Sequence, residues 1–207
     1  MTPDVRAEIA ANRRELADVL DGIPADSWNA PSLCAGWRVR EVVAHITMPF
    51  RYSTGRFLTE LARSGMRFHH MSDRCAHRDA NLSIADLVAA VRDNATNPWR
   101  PPGGGFEGAL IHDVIHGLDI TVPLDIDRPI PPDRMRTVLD GVTKPGPRKH
   151  FGVDLTGIEL RADDLDWSFG TGTTVSGPAR ELALVLCGRP VPAGRLAGAA
   201  AGRLRGR

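Results

Sequence analysis

Through residue 142 the apolar positions recur at helical spacing; from about residue 151 they fall into short runs separated by turn residues. The pattern therefore predicts helices first and a small mixed region after them. Val5, Ile9, Leu16, Val19 and Leu20 make one face of a helix over 4–21 that closes at Gly22 before Pro24. The segment 24–37 is broken by prolines and a glycine and reads as a loop. Val39, Val42, Val43, Ile46, Phe50, Phe57 and Leu61 then form the stripe of a long helix from about Arg38 to Arg63. Pro49 inside it cannot donate to the carbonyl of His45, so a kink is expected there.

Residues 65–82 show no period and read as loop or short helix. Ser83, with Asp86 three residues on, is a candidate N-cap for a helix to about Ala95. The loop PWRPPGGG at 98–105 leads into a fourth helix over 106–122, and 132–142 is a weaker amphipathic helix. Four main helices joined by loops predict an antiparallel bundle. Beyond it, 157–160, 165–169 and 173–177 read as strands, and Pro178 opens a helix that ends at Gly188. The expected organisation is a mainly α chain: a helical bundle over 1–145, a small α+β domain over 150–190, and a flexible tail over 191–207.

Composition changes this picture little. The 207 residues are 42% hydrophobic and 25% charged, an ordinary globular balance that argues against disorder. A net charge of +1 argues against a nucleic-acid binder. No run approaches the roughly 18 apolar residues of a membrane span, and the charged N-terminus lacks a secretory core, so a cytoplasmic chain is expected. Cys34, Cys75 and Cys187 are too few and too far apart for a disulfide framework or a Cys-x-x-Cys site, and each reads as an inert small residue.

The chemistry lies in the fourth helix, FEGALIHDVIHGLDITV. Ile111, Ile115, Leu118 and Val122 form a core stripe, and further apolar residues cover most of the remaining circumference. His112 and His116 lie four apart on one strip of it, with Asp119 on the same strip. Buried polar groups without partners cost about 1–3 kcal/mol each, and one ion would satisfy both imidazoles. His45, on the shoulder of the second helix, is the candidate third ligand, completing an open three-His site of the zinc type. Asp119 would orient His116 through its other ring nitrogen. A structural, hydrogen-bonded pair is the bland alternative, and His69, His70, His77 and His150 compete for the third place although they read as solvated. HDVIH differs from the zinc-protease pattern H-E-x-x-H in carrying Asp113 where the general base Glu belongs, and the GGG at 103–105 lacks the G-K-[ST] of a phosphate loop.

The run WNAPSLCAGWRVREVVAHI from Trp28 resembles the N-terminal signature of the mycothiol-dependent maleylpyruvate isomerase family, within the DinB/YfiT-like metal-binding four-helix bundles. That signature has a Trp, an S/T-L-C-x-G-W-x-V stretch and a helix with the first ligand His; here these are Trp28, Ser32 to Val39, and His45. The family's second element, two ligands four apart followed by Asp, matches His112, His116 and Asp119, and 157–190 resembles its small C-terminal domain. In the isomerase itself the position of His112 is a Glu. Three neutral ligands leave the ion more positive, which favours an anionic fourth ligand such as a thiolate.

The resemblance implies a divalent metal, zinc first and nickel second, with mycothiol as cosubstrate. Its thiolate would attack a small electrophile, giving isomerisation or S-transfer. Arg51, near His45, is the candidate to hold a carboxylate of thiol or substrate. A non-catalytic metal-binding module and a hydrolase using metal-bound water are the alternatives. The expected partners are small molecules, with no nucleic acid or membrane, and the chain is a monomer or homodimer.

Overall fold

The computed structural model describes residues 4–204 and divides the chain into two units, Met1–Arg128 and Pro129–Arg207. Six helices build the first: α1 (Val5–Asp21), α2 (Val39–Arg51), α3 (Thr54–Arg63), α4 (Phe68–Asp79), α5 (Ile84–Arg92) and α6 (Gly105–Thr121). α1 packs against α5 and α6, and α2 packs against α5 and α6 as well, which makes the four-helix core. α3 and α4 form an added pair, with α4 laid along α2.

Local chemistry explains where these helices start and stop. Asp4 accepts the Arg6 N–H at 3.0 Å and caps α1. Glu41 accepts the Arg38 N–H at 2.9 Å at the start of α2. Ser83 accepts the Asp86 N–H at 3.0 Å and caps α5, as its spacing predicts. Val39, Val42, Val43 and Ile46 on α2 pack with Leu16, Leu20, Leu87, Val91 and Ile120, all of them at most 1% exposed. Full burial of each such side chain contributes about 1.5–3 kcal/mol.

Two elements differ from the sequence pattern. The stretch read as one helix from Arg38 to Arg63 is two: α2 runs through Pro49 to Arg51, Tyr52 is extended, and Ser53 caps α3 by accepting the Arg56 N–H. Pro49 thus ends the helix within a turn rather than kinking a continuous one. The stretch read as loop or short helix at 65–82 contains the twelve-residue helix α4. Its buried face, Met71, Ser72, Cys75, Ala76 and Asp79, has helical spacing, but two of the five are polar, which hid the period.

The second unit holds α7 (Pro132–Val142), α8 (Pro145–Phe151), strands β1 (Ile158–Ala162), β2 (Ser168–Gly170) and β3 (Thr173–Gly177), and α9 (Ala179–Leu186). The sheet order is β2-β1-β3, with β1 antiparallel to β2 and parallel to β3. α7 lies in this unit rather than in the bundle because Val138, Leu139 and Val142 are fully buried and the helix packs on α9. The division accordingly falls at Arg128–Pro129, ahead of the proline run PIPP, and not at 145–150. The tail expected to be flexible is anchored as far as it is described: Ala197 bridges to Ser176, Arg195 binds Glu181 at 2.9 Å, and Leu204 is buried in a short 3-10 turn. Residues 205–207 lie outside the described residues.

Candidate metal centre

α2 and α6 bring His45, His112 and His116 together. One ligand nitrogen of each lies within 4.8 Å of the others. The Nε2 atoms of His45 and His112 are 3.2 Å apart, and the three ring centroids are 4.7–5.2 Å from one another. Nitrogens bound to one tetrahedral zinc at about 2.0–2.1 Å would lie roughly 3.3 Å apart, so the 3.2 Å between His45 and His112 suits a shared ion as well as it suits a direct hydrogen bond. His69, His70, His77 and His150 are exposed and belong to no such cluster among the described residues.

Each ring is held from behind through Nδ1. His45 Nδ1 is 3.0 Å from Ser72 Oγ, His112 Nδ1 is 2.9 Å from Asp113 Oδ1, and His116 Nδ1 is 2.8 Å from Asp119 Oδ2. A carboxylate accepts only, so His112 and His116 carry their protons on Nδ1 and offer Nε2 to an ion. One proton bridges at most two of three converging nitrogens; a cation satisfies all three at once. The donor set therefore fits a divalent ion of the zinc or nickel type.

The two carboxylates have different neighbours. Asp113 also accepts from Arg13 Nε at 2.6 Å, and both side chains are almost wholly buried. Burial alone would raise the Asp113 pKa, but the hydrogen bond from His112 and the charges of His112 and Arg13 outweigh it and hold the carboxyl below its usual range. Asp119, fully buried, accepts instead from the Cys34 thiol at 3.0 Å, and its main-chain oxygen accepts the Leu33 N–H at 3.1 Å. The thiol sulfur is 3.8 Å from His116 Nδ1. Aromatic walls flank the cluster: Trp37 lies 5.1 Å from His45 and Trp99 lies 5.1 Å from His112, centroid to centroid. Trp37 is itself fixed by donating from Nε1 to Asp73 Oδ1 at 2.8 Å.

Sequence reading located the three imidazoles and Asp119 but passed over their supports. Asp113 was weighed only as a failed protease base, Cys34 only as an inert thiol and a member of the family signature, and Ser72 lay in a stretch read as loop or short helix. An acidic side chain inside an otherwise apolar helix is the signal that marks Asp113, because a buried carboxylate requires a donor. Arg51 stands elsewhere: Nε donates to Thr47 Oγ1, one terminal nitrogen to Asp79 and the other to the Ala44 carbonyl, so its guanidinium is engaged within α2 and α4 rather than held out for a ligand.

Residues 9–100 match the family model described as the mycothiol maleylpyruvate isomerase N-terminal domain. No curated protein matches the chain in sequence. Two solved structures share the fold, both crystal structures of the mycothiol-dependent maleylpyruvate isomerase and one of them a His-to-Ala mutant. The mutant superposes with a TM-score of 0.54 and the other with 0.51; each is 14% identical, over 95% of this chain and 92% of that one. The family whose signature the sequence resembles is thus the one that both comparisons return. No helix among the described residues is long and apolar enough to cross a membrane.

Proposed function

We propose that this chain, whose N-terminal segment matches the mycothiol maleylpyruvate isomerase domain, is a metal-dependent enzyme that uses mycothiol on a small electrophilic substrate, as an isomerase or an S-transferase. The observation that carries this reading is the convergence of His45, His112 and His116 with every Nδ1 held from outside the cluster. A bound divalent ion, zinc before nickel, would lower the pKa of a ligating thiol and keep it as a thiolate at neutral pH. With His112 where the isomerase has Glu, the ligand set is neutral, which strengthens the preference for an anionic fourth ligand.

The chain's own residues supply orientation. Asp113 and Asp119 hold His112 and His116 in one tautomer, and Ser72 holds the His45 ring in place, so little reorganisation is needed on binding. Trp37 and Trp99 flank the site with apolar faces that limit water around a sulfur nucleophile. Addition of the thiolate to an electrophilic carbon, rotation and elimination of the same thiolate would give cis–trans isomerisation; an adduct that takes up a proton and leaves would give S-transfer.

Elemental analysis of tag-free protein, with His116→Ala in parallel, tests the first half. About one equivalent of metal is expected in the wild type and none in the variant. Turnover of an electrophilic acid with and without mycothiol tests the second. Failure to take up added zinc or nickel would overturn the reading. Turnover without thiol would replace it with hydrolysis by bound water, and metal without turnover would replace it with a binding module.

A further inference from the structure

Arg13 has no part in the reading above, yet it is the most completely buried cation of the N-terminal unit, with its side chain 0% exposed. We propose that Arg13 is a positioning residue for the metal centre that sets His112 from two sides. The inference rests on the metal-dependent reading and adds to it a residue 99 positions away in sequence.

The first side is the carboxylate. Arg13 Nε donates to Asp113 Oδ2 at 2.6 Å while His112 Nδ1 donates to Oδ1 of the same group at 2.9 Å. Donors on both oxygens leave the carboxylate a single orientation, and His112 inherits it. The second side is the aromatic wall. One terminal nitrogen of Arg13 donates to the main-chain oxygens of Asn94 at 3.2 Å and Asn97 at 2.8 Å, which fixes the turn after α5. Asn97 Oδ1 in turn accepts the Trp99 N–H at 3.0 Å, and the Trp99 ring stands against His112 at 63°. The guanidinium lies over the Phe50 ring, 4.7 Å from its centroid, so its plane is fixed as well.

Stability alone does not account for this arrangement. Burying an ion pair is frequently no better than filling the same space with apolar side chains. The pair here is also incompletely satisfied, since Nη2 of Arg13 is buried with no hydrogen-bond partner among the described residues. A planar fork that reaches a carboxylate and two carbonyls at once is what Arg supplies and neither Lys nor an apolar residue does. Local violations of packing and polar rules of this kind belong at functional sites.

Cobalt(II) is the probe. The wild type, Arg13→Met, Arg13→Lys, Asp113→Asn and the double variant Arg13→Met/Asp113→Asn are titrated against a competing chelator, with visible cobalt bands and urea stability recorded for each. Loss of a residue that supports a metal ligand typically lowers affinity about 10–100-fold, and that is the loss expected for Arg13→Met, with altered cobalt bands. Arg13→Lys, which keeps the charge but not the fork, is expected between it and the wild type. The double variant is expected to lose far less than the product of the two single losses, because Arg13 acts in part through Asp113. It also removes both buried charges, so it remains a usable protein if Arg13→Met alone does not fold. Wild-type affinity and bands in Arg13→Met, or in the double variant if only that one folds, would reduce Arg13 to a structural residue and overturn the proposal. A wild type that binds no cobalt would overturn this and the functional reading together. Cobalt binding without thiol turnover would remove only the latter.

Discussion

His112 and His116 stand one turn apart on α6, and each presents Nδ1 to a buried aspartate, yet the surroundings of the two aspartates differ. Asp113 is closed off behind by Arg13 in a buried ion pair; Asp119 faces a half-buried thiol and a main-chain amide of the loop before α2. An aspartate paired with Arg is partly neutralised, so it holds His112 in place while pushing less electron density into the ring. The Asp119 carboxylate accepts from the weak S–H donor of Cys34 where that of Asp113 accepts from a guanidinium. The comparison teaches that the two positions are not equivalent: the His112 side is built into the core of the bundle, and the His116 side is built onto a loop.

The most severe way to break the comparison is to remove a ring. His112→Ala and His116→Ala should each abolish stoichiometric metal uptake, measured by elemental analysis, because two imidazoles do not make a protein site of this type. The aspartates should then separate the two sides. Asp113→Asn removes half of a buried ion pair and leaves Arg13 uncompensated, so apo-protein stability in urea should fall by about 3–5 kcal/mol. Asp119→Asn should cost about 1–3 kcal/mol of stability, the scale of one disturbed buried polar group, and about 10–100-fold in metal affinity by chelator competition. Equal stability losses in the two variants would erase the distinction.

Acid titration sharpens it further. The folded pKa of Asp113 is depressed, so its contribution is fully present above the unfolded value of about 4 and is lost as pH falls through the lower folded value. Urea stability of the apo wild type should therefore decline below about pH 4, and Asp113→Asn should show a shallower decline by the uptake of one proton. The smallest effect is expected for Cys34→Ser, which exchanges one donor to Asp119 for another; metal affinity should change by only a few-fold, read by the same competition assay.

Much of this was legible in sequence for identifiable reasons. The bundle core announced itself through Val39, Val42, Val43 and Ile46, whose period survives because all four are apolar and all four are buried. The imidazoles were legible because polar residues at i and i+4 in an apolar helix need a common explanation. α4 was not, since Ser72 and Asp79 occupy its buried face. Arg13 and Asp113 are 100 residues apart, and no local pattern couples them; only the packing of α1 on α6 does. The unit boundary was misplaced because the amphipathic face of α7 has the right period for a bundle helix, and period alone does not say which core it faces.

Asp119 joins two parts of the chain that a ligand would sense together. Its side chain orients His116 while its main-chain oxygen holds the Leu33 amide, and the Cys34 sulfur lies on the same carboxylate. Opening of the 31–37 loop and loosening of His116 are therefore expected to be coupled. Exchange of the proton on the Leu33 nitrogen with solvent requires its hydrogen bond to Asp119 to open. Its exchange rate would therefore report the lability of the candidate site from a backbone position outside the three imidazoles, and slower exchange on adding zinc would register occupancy by an ion that has no colour of its own.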